Sequence, residues 1–168
     1  MQRRTLLKLG GVSAAVLMMA GAAVALLQPG LNQGKLSAAG RSVFLAVGGA
    51  VLDSLLPNET DARQRALAGL LQRIEAVAQS LPPNTQAELS QLLSVLASAW
   101  GRHALVGLNR PWAEASSHEI QQALQSMCLS GLALRQQACL ALREITTGAF
   151  FSDEASWTQL GYPGPVNL

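Results

Sequence analysis

The sequence predicts an all-α fold class: a small irregular helical bundle of about five helices after an N-terminal hydrophobic leader helix. Three observations point there. From Phe44 onward apolar residues recur in steps of three and four, the spacing that lines one face of a helix. No stretch alternates with period two for long enough to make a strand. Apolar residues make up 49% of the chain and aromatic ones only 4%, so the core relies on Leu, Ala and Val rather than on rings. With 168 residues the chain holds one ordinary domain's worth.

The first element is the leader, residues 1–25. Arg3, Arg4 and Lys8 precede a run from Leu9 to Leu27 without a charged residue, the layout of a positive n-region and an apolar h-region. Ala23-Val24-Ala25 supplies a small-x-small cleavage motif through Ala23 and Ala25, and Pro29-Gly30 breaks any continuing helix. Gln2-Arg3-Arg4-Thr5-Leu6-Leu7-Lys8 resembles the twin-arginine export signal, an address read by a translocase. It departs from that pattern at Gln2, where Ser or Thr is usual, and at Leu6, where Phe is common. The alternative is an uncleaved anchor, because about 19 uncharged residues just span a bilayer. Its three positive charges would then stay on the cytoplasmic side. Both readings place the body beyond the cytoplasmic membrane.

The leader also accounts for the basic balance. The chain carries 12 Lys and Arg against 10 Asp and Glu; without Arg3, Arg4 and Lys8 this becomes 9 against 10, a net charge near −1. No basic stripe with interleaved aromatics remains, which removes the electrostatic basis for nucleic-acid binding.

Residues 26–42 read as a linker: Pro29, three glycines, Asn32 and serines with no period. The helical domain, 43–168, begins with Phe44, Val47, Gly48, Val51, Leu52 and Leu55 and stops at Pro57. Asn58 or Thr60 is available to cap the next helix. Its stripe is Leu67, Leu70, Leu71, Ile74, Val77, Ala78 and Leu81, with Arg65, Gln72, Glu75 and Gln79 off the stripe, and it stops at Pro82-Pro83. Asn84 or Thr85 caps a third helix with the stripe Leu89, Leu92, Leu93, Leu96 and Trp100. A short stretch from Ala104 to Leu108 follows, interrupted by Asn109-Arg110-Pro111-Trp112. Ser116 and Glu119 form the spacing of a capping box. Beyond it Leu124, Met127, Gly131, Leu134, Ala138, Ala141 and Ile145 keep the helical period, predicting one long helix bent at Gly131.

Groups that carry chemistry are sparse. On a continuous helix the Cα atoms of Cys128 and Cys139 lie about 16 Å apart, beyond the roughly 7 Å that a bridge tolerates. That leaves two half-buried free thiols, whereas a disulfide requires the helix to break into a hairpin near Gly131. His103 and His118 lack metal-ligand spacing, and His118 falls in a first helical turn facing solvent. No glycine-rich phosphate loop follows a strand and no Gly-x-Ser-x-Gly elbow is present. The expectation is a chain without catalytic, cofactor-binding or metal-binding residues of its own.

The tail, "GAFFSDEASWTQLGYPGPVNL", concentrates Phe150, Phe151, Trp157 and Tyr162. Ser152 is placed to cap a short helix with Asp153 and Glu154 in its first turn, and Gly161 falls where a left-handed cap would end it. Rings on a rigid turn anchor partners well, so Trp112, Phe151, Trp157, Tyr162 and Pro163 are the candidate partner interface. The alternative is that the tail folds back and covers the chain's own helices.

Phe151-Ser152-Asp153, Trp157 and Gly161-Tyr162-Pro163-Gly164-Pro165, with the leader and Leu55-Leu56-Pro57, resemble the exported small-subunit proteins related to gluconate 2-dehydrogenase subunit 3. Glu154 stands where a proline is common in them. The resemblance implies a non-catalytic accessory subunit that assists export, stability or membrane association of a periplasmic dehydrogenase. The partner would be a large flavoprotein of the glucose–methanol–choline class, with FAD in that partner, alongside a cytochrome c in some systems. The twin-arginine translocase would be a further, transient partner. The other reading is a stand-alone periplasmic helical protein held by its leader, with a structural or ligand-binding role.

Overall fold

The computed structural model describes residues 28–161. Among the described residues the body is all-α apart from one two-stranded hairpin at its start. In order, β1 (Leu31–Asn32) and β2 (Lys35–Leu36) precede α1 (Ala38–Val51), α2 (Thr60–Ser80) and α3 (Pro83–Ala97). A single turn, α4 (Ala99–Gly101), runs into a π-helical turn at Arg102–Val106. Then come α5 (Ser117–Cys128), α6 (Ala133–Phe151) and a 3-10 turn at Glu154–Leu160.

The segment read as a linker is folded from its first described residues, which corrects the 26–42 boundary. Leu31 pairs with Leu36 and Asn32 with Lys35 around a two-residue turn in which Gln33 and Gly34 both have positive φ. Both leucines are buried. The hairpin hangs between α2 and α3: the Leu31 N–H donates to the Ser90 hydroxyl at 3.0 Å and the Leu36 N–H to Glu75 Oε1 at 3.2 Å. Arg41 adds an ion pair to the same Glu75 oxygen at 2.7 Å. Gly30 has to be glycine, because a Cβ there would meet the Leu93 Cβ at 2.3 Å. Period two fails as a signal because each strand holds only two residues.

The central helix is α1, which packs against α2, α3, α5 and α6. Ser37 caps it, its hydroxyl accepting from the Gly40 N–H at 3.2 Å. It ends at Val51, so Leu52 and Leu55 lie in following turns rather than in the helix; Leu52 stays buried. Its last carbonyls are met from a distance: Arg63 donates to the Gly49 oxygen at 3.0 Å and Gln121 to the Ala50 oxygen at 2.8 Å. Leu70, Leu71, Ile74 and Ala78 of α2 and Leu89, Leu92, Leu93 and Leu96 of α3 join it in the core, together with Leu124 and Met127 of α5 and Ala138 and Leu142 of α6.

The helix starts differ from the expected caps. Glu59 precedes α2 without a side-chain cap bond, and α3 starts at Pro83 itself, whose missing N–H costs nothing in a first turn. Ser98, with extended backbone, ends α3 and caps α4, its hydroxyl accepting from the Gly101 N–H. That break turns Trp100 off the α3 stripe and leaves it 60% exposed. The capping box at α5 forms as expected: the Ser116 hydroxyl accepts from the Glu119 N–H and the Glu119 carboxylate from the Ser116 N–H.

The largest correction concerns the predicted long helix. The chain reverses over Leu129–Leu132, so α5 and α6 form a hairpin instead of one helix bent at Gly131. The Ser130 hydroxyl accepts from the Leu132 N–H and the Gln136 side chain donates to the Ser130 carbonyl at 2.6 Å, giving the backbone local partners outside a helix. Cys128 and Cys139 then stand with Cα atoms 5.5 Å apart and are joined by a disulfide, not held as free thiols.

Candidate functional site

The export-signal residues Arg3, Arg4, Leu6, Leu7 and Lys8 and the cleavage motif Ala23 and Ala25 lie outside the described residues. So do Tyr162 and Pro163 of the candidate interface. The other three interface candidates are described, and none stands out as a free ring.

Trp112 is buried, which corrects its assignment to a partner surface. Its indole N–H donates to the Leu96 carbonyl at 2.8 Å, so the ring closes the C-terminal end of α3 and satisfies an oxygen left over there. Phe150 is buried and Phe151 half-buried against the core, with ring centroids 5.2 Å apart in an edge-on arrangement. Trp157 folds back along the end of α6, its indole N–H donating to the Phe151 carbonyl at 2.8 Å. Arg73 of α2 donates to the Ala149 carbonyl and pairs with Asp153, both at 2.9 Å. Asp153, rather than Ser152, serves the short turn, its carboxylate accepting from the Ala155 N–H. The Ser152 hydroxyl instead donates back to Ala149. Gly161 has φ +68°, the left-handed conformation expected of it. The described part of the tail is thus sewn onto α2 and α6.

Two open clefts flank α5. One, of about 370 Å³, lies between it and the loop after the π-helical turn, lined by Asn109, Arg110, Glu119, Gln122 and Ser126. Val106, Leu108 and Ala123 line it as well, and polar groups border it: His103 Nδ1 lies 2.7 Å from Asn109 Oδ1, and exposed His118 lies 3.0 Å from the Gln122 amide. Glu119 is held below the usual carboxylate range by the Ser116 N–H, then by the Ser116 hydroxyl, with smaller help from Arg110 and His118. That shift is accounted for by helix capping. The second cleft, of about 460 Å³, lies among α1, α5 and α6 and is lined by Val51, Gln121, Cys128, Leu129 and Arg143.

Large apolar side chains are also exposed, one of them in this second cleft. Leu129 is 77% exposed, Leu132 64% and Leu140 52%, all at or near the disulfide-tied reversal. Residue spacing had hidden this surface, because the helical period runs on across the break. Among the described residues no group of three His, Cys, Asp or Glu side chains is placed to hold a metal ion. Nor is any described helix long and apolar enough to cross a membrane. Compared with protein-family models, curated proteins and solved structures, the chain matches none.

Proposed function

We propose that this chain is a non-catalytic accessory subunit that assists export, stability or membrane association of a periplasmic FAD-dependent dehydrogenase of the glucose–methanol–choline type. The observation that carries the reading is a pairing within one short sequence. The twin-arginine-like Gln2–Lys8 segment, an address for proteins that travel folded, stands before a helical body whose tail carries Gly161-Tyr162-Pro163-Gly164-Pro165. A folded-protein address on a body without a cofactor motif is explained if the exported unit is the chain together with a partner loaded in the cytoplasm. FAD belongs to that partner, and a cytochrome c would take its electrons onward.

With Trp112 committed to the core, Trp100 is the exposed ring that this reading offers to a partner pocket. Replacing both leader arginines (Arg3→Lys with Arg4→Lys) tests the escort role. Dehydrogenase activity retained in the cytoplasm is the expected result, and normal periplasmic activity would sink it. Purifying the full chain gently from its cell envelope gives a second check. A flavin absorption spectrum with a larger co-purifying chain supports the reading, and a colourless chain alone favours the stand-alone protein.

A further inference from the structure

We infer that the α5–α6 hairpin tip is a membrane-surface contact, in which Leu129 and Leu132 enter the acyl region of an anionic lipid leaflet and Arg143 meets its phosphates. Neither the export reading nor the flavoprotein partner is needed for this inference.

The first support is shape. Leu129 and Leu132 sit three residues apart on a reversal of four residues, 77% and 64% exposed. Exposed aliphatics on a floppy loop would collapse onto the body, but here the Cys128–Cys139 bond ties the two helices directly behind the tip. Arg135 reinforces it, donating to the Leu105 carbonyl at 2.8 Å and to the Ser126 hydroxyl at 3.2 Å. The apolar groups are therefore presented, not merely uncovered.

The second support is charge. Between Glu119 and Glu144, the carboxylates that border the hairpin far from its tip, the charged residues are Arg135 and Arg143. Arg143 lines the cleft beside Leu129 and Cys128, and among the described residues it has no ion-pair partner. Side chains on a helix lean toward its N-terminus, which carries the Arg143 guanidinium toward the tip. A long cationic side chain lying along apolar surface with its head at the phosphate level is a common arrangement at a bilayer interface.

The third support is the chemistry of the contact. The tip offers aliphatic side chains and no ring, whereas a protein pocket is more often anchored by Trp, Tyr or Arg at its centre. Two leucines with a flanking cation suit a fluid apolar phase under an anionic surface.

Brominated-lipid quenching tests this with the full chain on vesicles of phosphatidylglycerol and phosphatidylcholine. A Leu132→Trp variant is compared with the unaltered chain, so that the extra emission reports residue 132 alone. Both chains carry the same leader, so the difference between them reports the tip. Bromines on the acyl chains should quench the extra emission, and aqueous iodide should not. In the same background, Arg143→Gln should weaken insertion about fivefold, and Leu129→Gln about tenfold or more. Circular dichroism should be unchanged, since these positions face solvent. Extra emission open to iodide and blind to bromine would overturn the inference. So would a Leu129→Gln, Leu132→Gln chain that sheds a co-purifying envelope protein while lipid quenching is absent, which would assign the tip to a protein instead.

Discussion

The two ends of α6 treat apolar surface in opposite ways. At its C-terminal end Phe150 is buried, Phe151 is half-buried and Trp157 bends back to donate to the Phe151 carbonyl. Rings there turn inward, and non-covalent bonds from Arg73 and Asp153 hold the chain down. At its N-terminal end Leu129 and Leu132 turn outward, and a covalent bond holds the reversal behind them. Burial supplies its own order at one end. At the other, apolar groups left in water contribute nothing to holding the loop, so the order comes from the disulfide and from the hydrogen bonds of Ser130 and Arg135. A short segment can display hydrophobic side chains only if something other than hydrophobicity shapes it.

The contrast yields a ranking of effects. Phe150→Ala should be the most damaging, costing about 3–5 kcal/mol of stability, because it removes a buried ring and leaves a cavity. Denaturant midpoints would show it, and a loss well under about 1 kcal/mol would mean that the tail is not part of the core. Cys139→Ala should cost about 2–4 kcal/mol, mainly by freeing the unfolded chain. Hydrogen exchange should then accelerate around residues 128–134 while the Phe150 end stays protected. Equal acceleration at both ends would erase the distinction between them.

The smallest effect sharpens the comparison at the far end of the tied hairpin. Glu119 carries a lowered proton affinity in the folded state because it accepts hydrogen bonds from Ser116. A depressed carboxylate contributes stability above its unfolded pKa and loses it as pH falls through the folded one. Glu119→Gln should therefore lower the melting temperature slightly near neutrality, and the difference should shrink as pH drops below the ordinary carboxylate range. A difference that grows in acid would contradict the capping role.

What the sequence made legible follows a physical pattern. The stripes of α2 and α3, the Ser116–Glu119 box and the left-handed Gly161 are local, each written in residues a few positions apart. The misses depend on partners far along the chain. The early end of α1 rests on Arg63 and Gln121, and Trp112 is inward because its N–H is needed at Leu96. The helix break at Leu129–Leu132 was hidden for another reason. Leu124 and Met127 on one side and Ala138 and Ala141 on the other all face one core, so the period survives the reversal. The disulfide became possible only once that break existed. The hairpin at Leu31–Leu36 is too short to show any period, and its turn at Gln33-Gly34 lacks the usual Asn-Gly.

The fixed N-terminal hairpin bears on how tightly the body would be leashed if the leader stays in the membrane. A 17-residue flexible linker over 26–42 would have given a root-mean-square reach of roughly 20–25 Å and free tumbling. With Gly30 already bonded to the Ser90 carbonyl, only residues 26–29 separate the predicted end of the leader from the folded body. Four residues reach roughly 14 Å at full stretch. On so short a leash the body would work within a thin layer above the lipid, at a high local concentration relative to anything else confined to that plane.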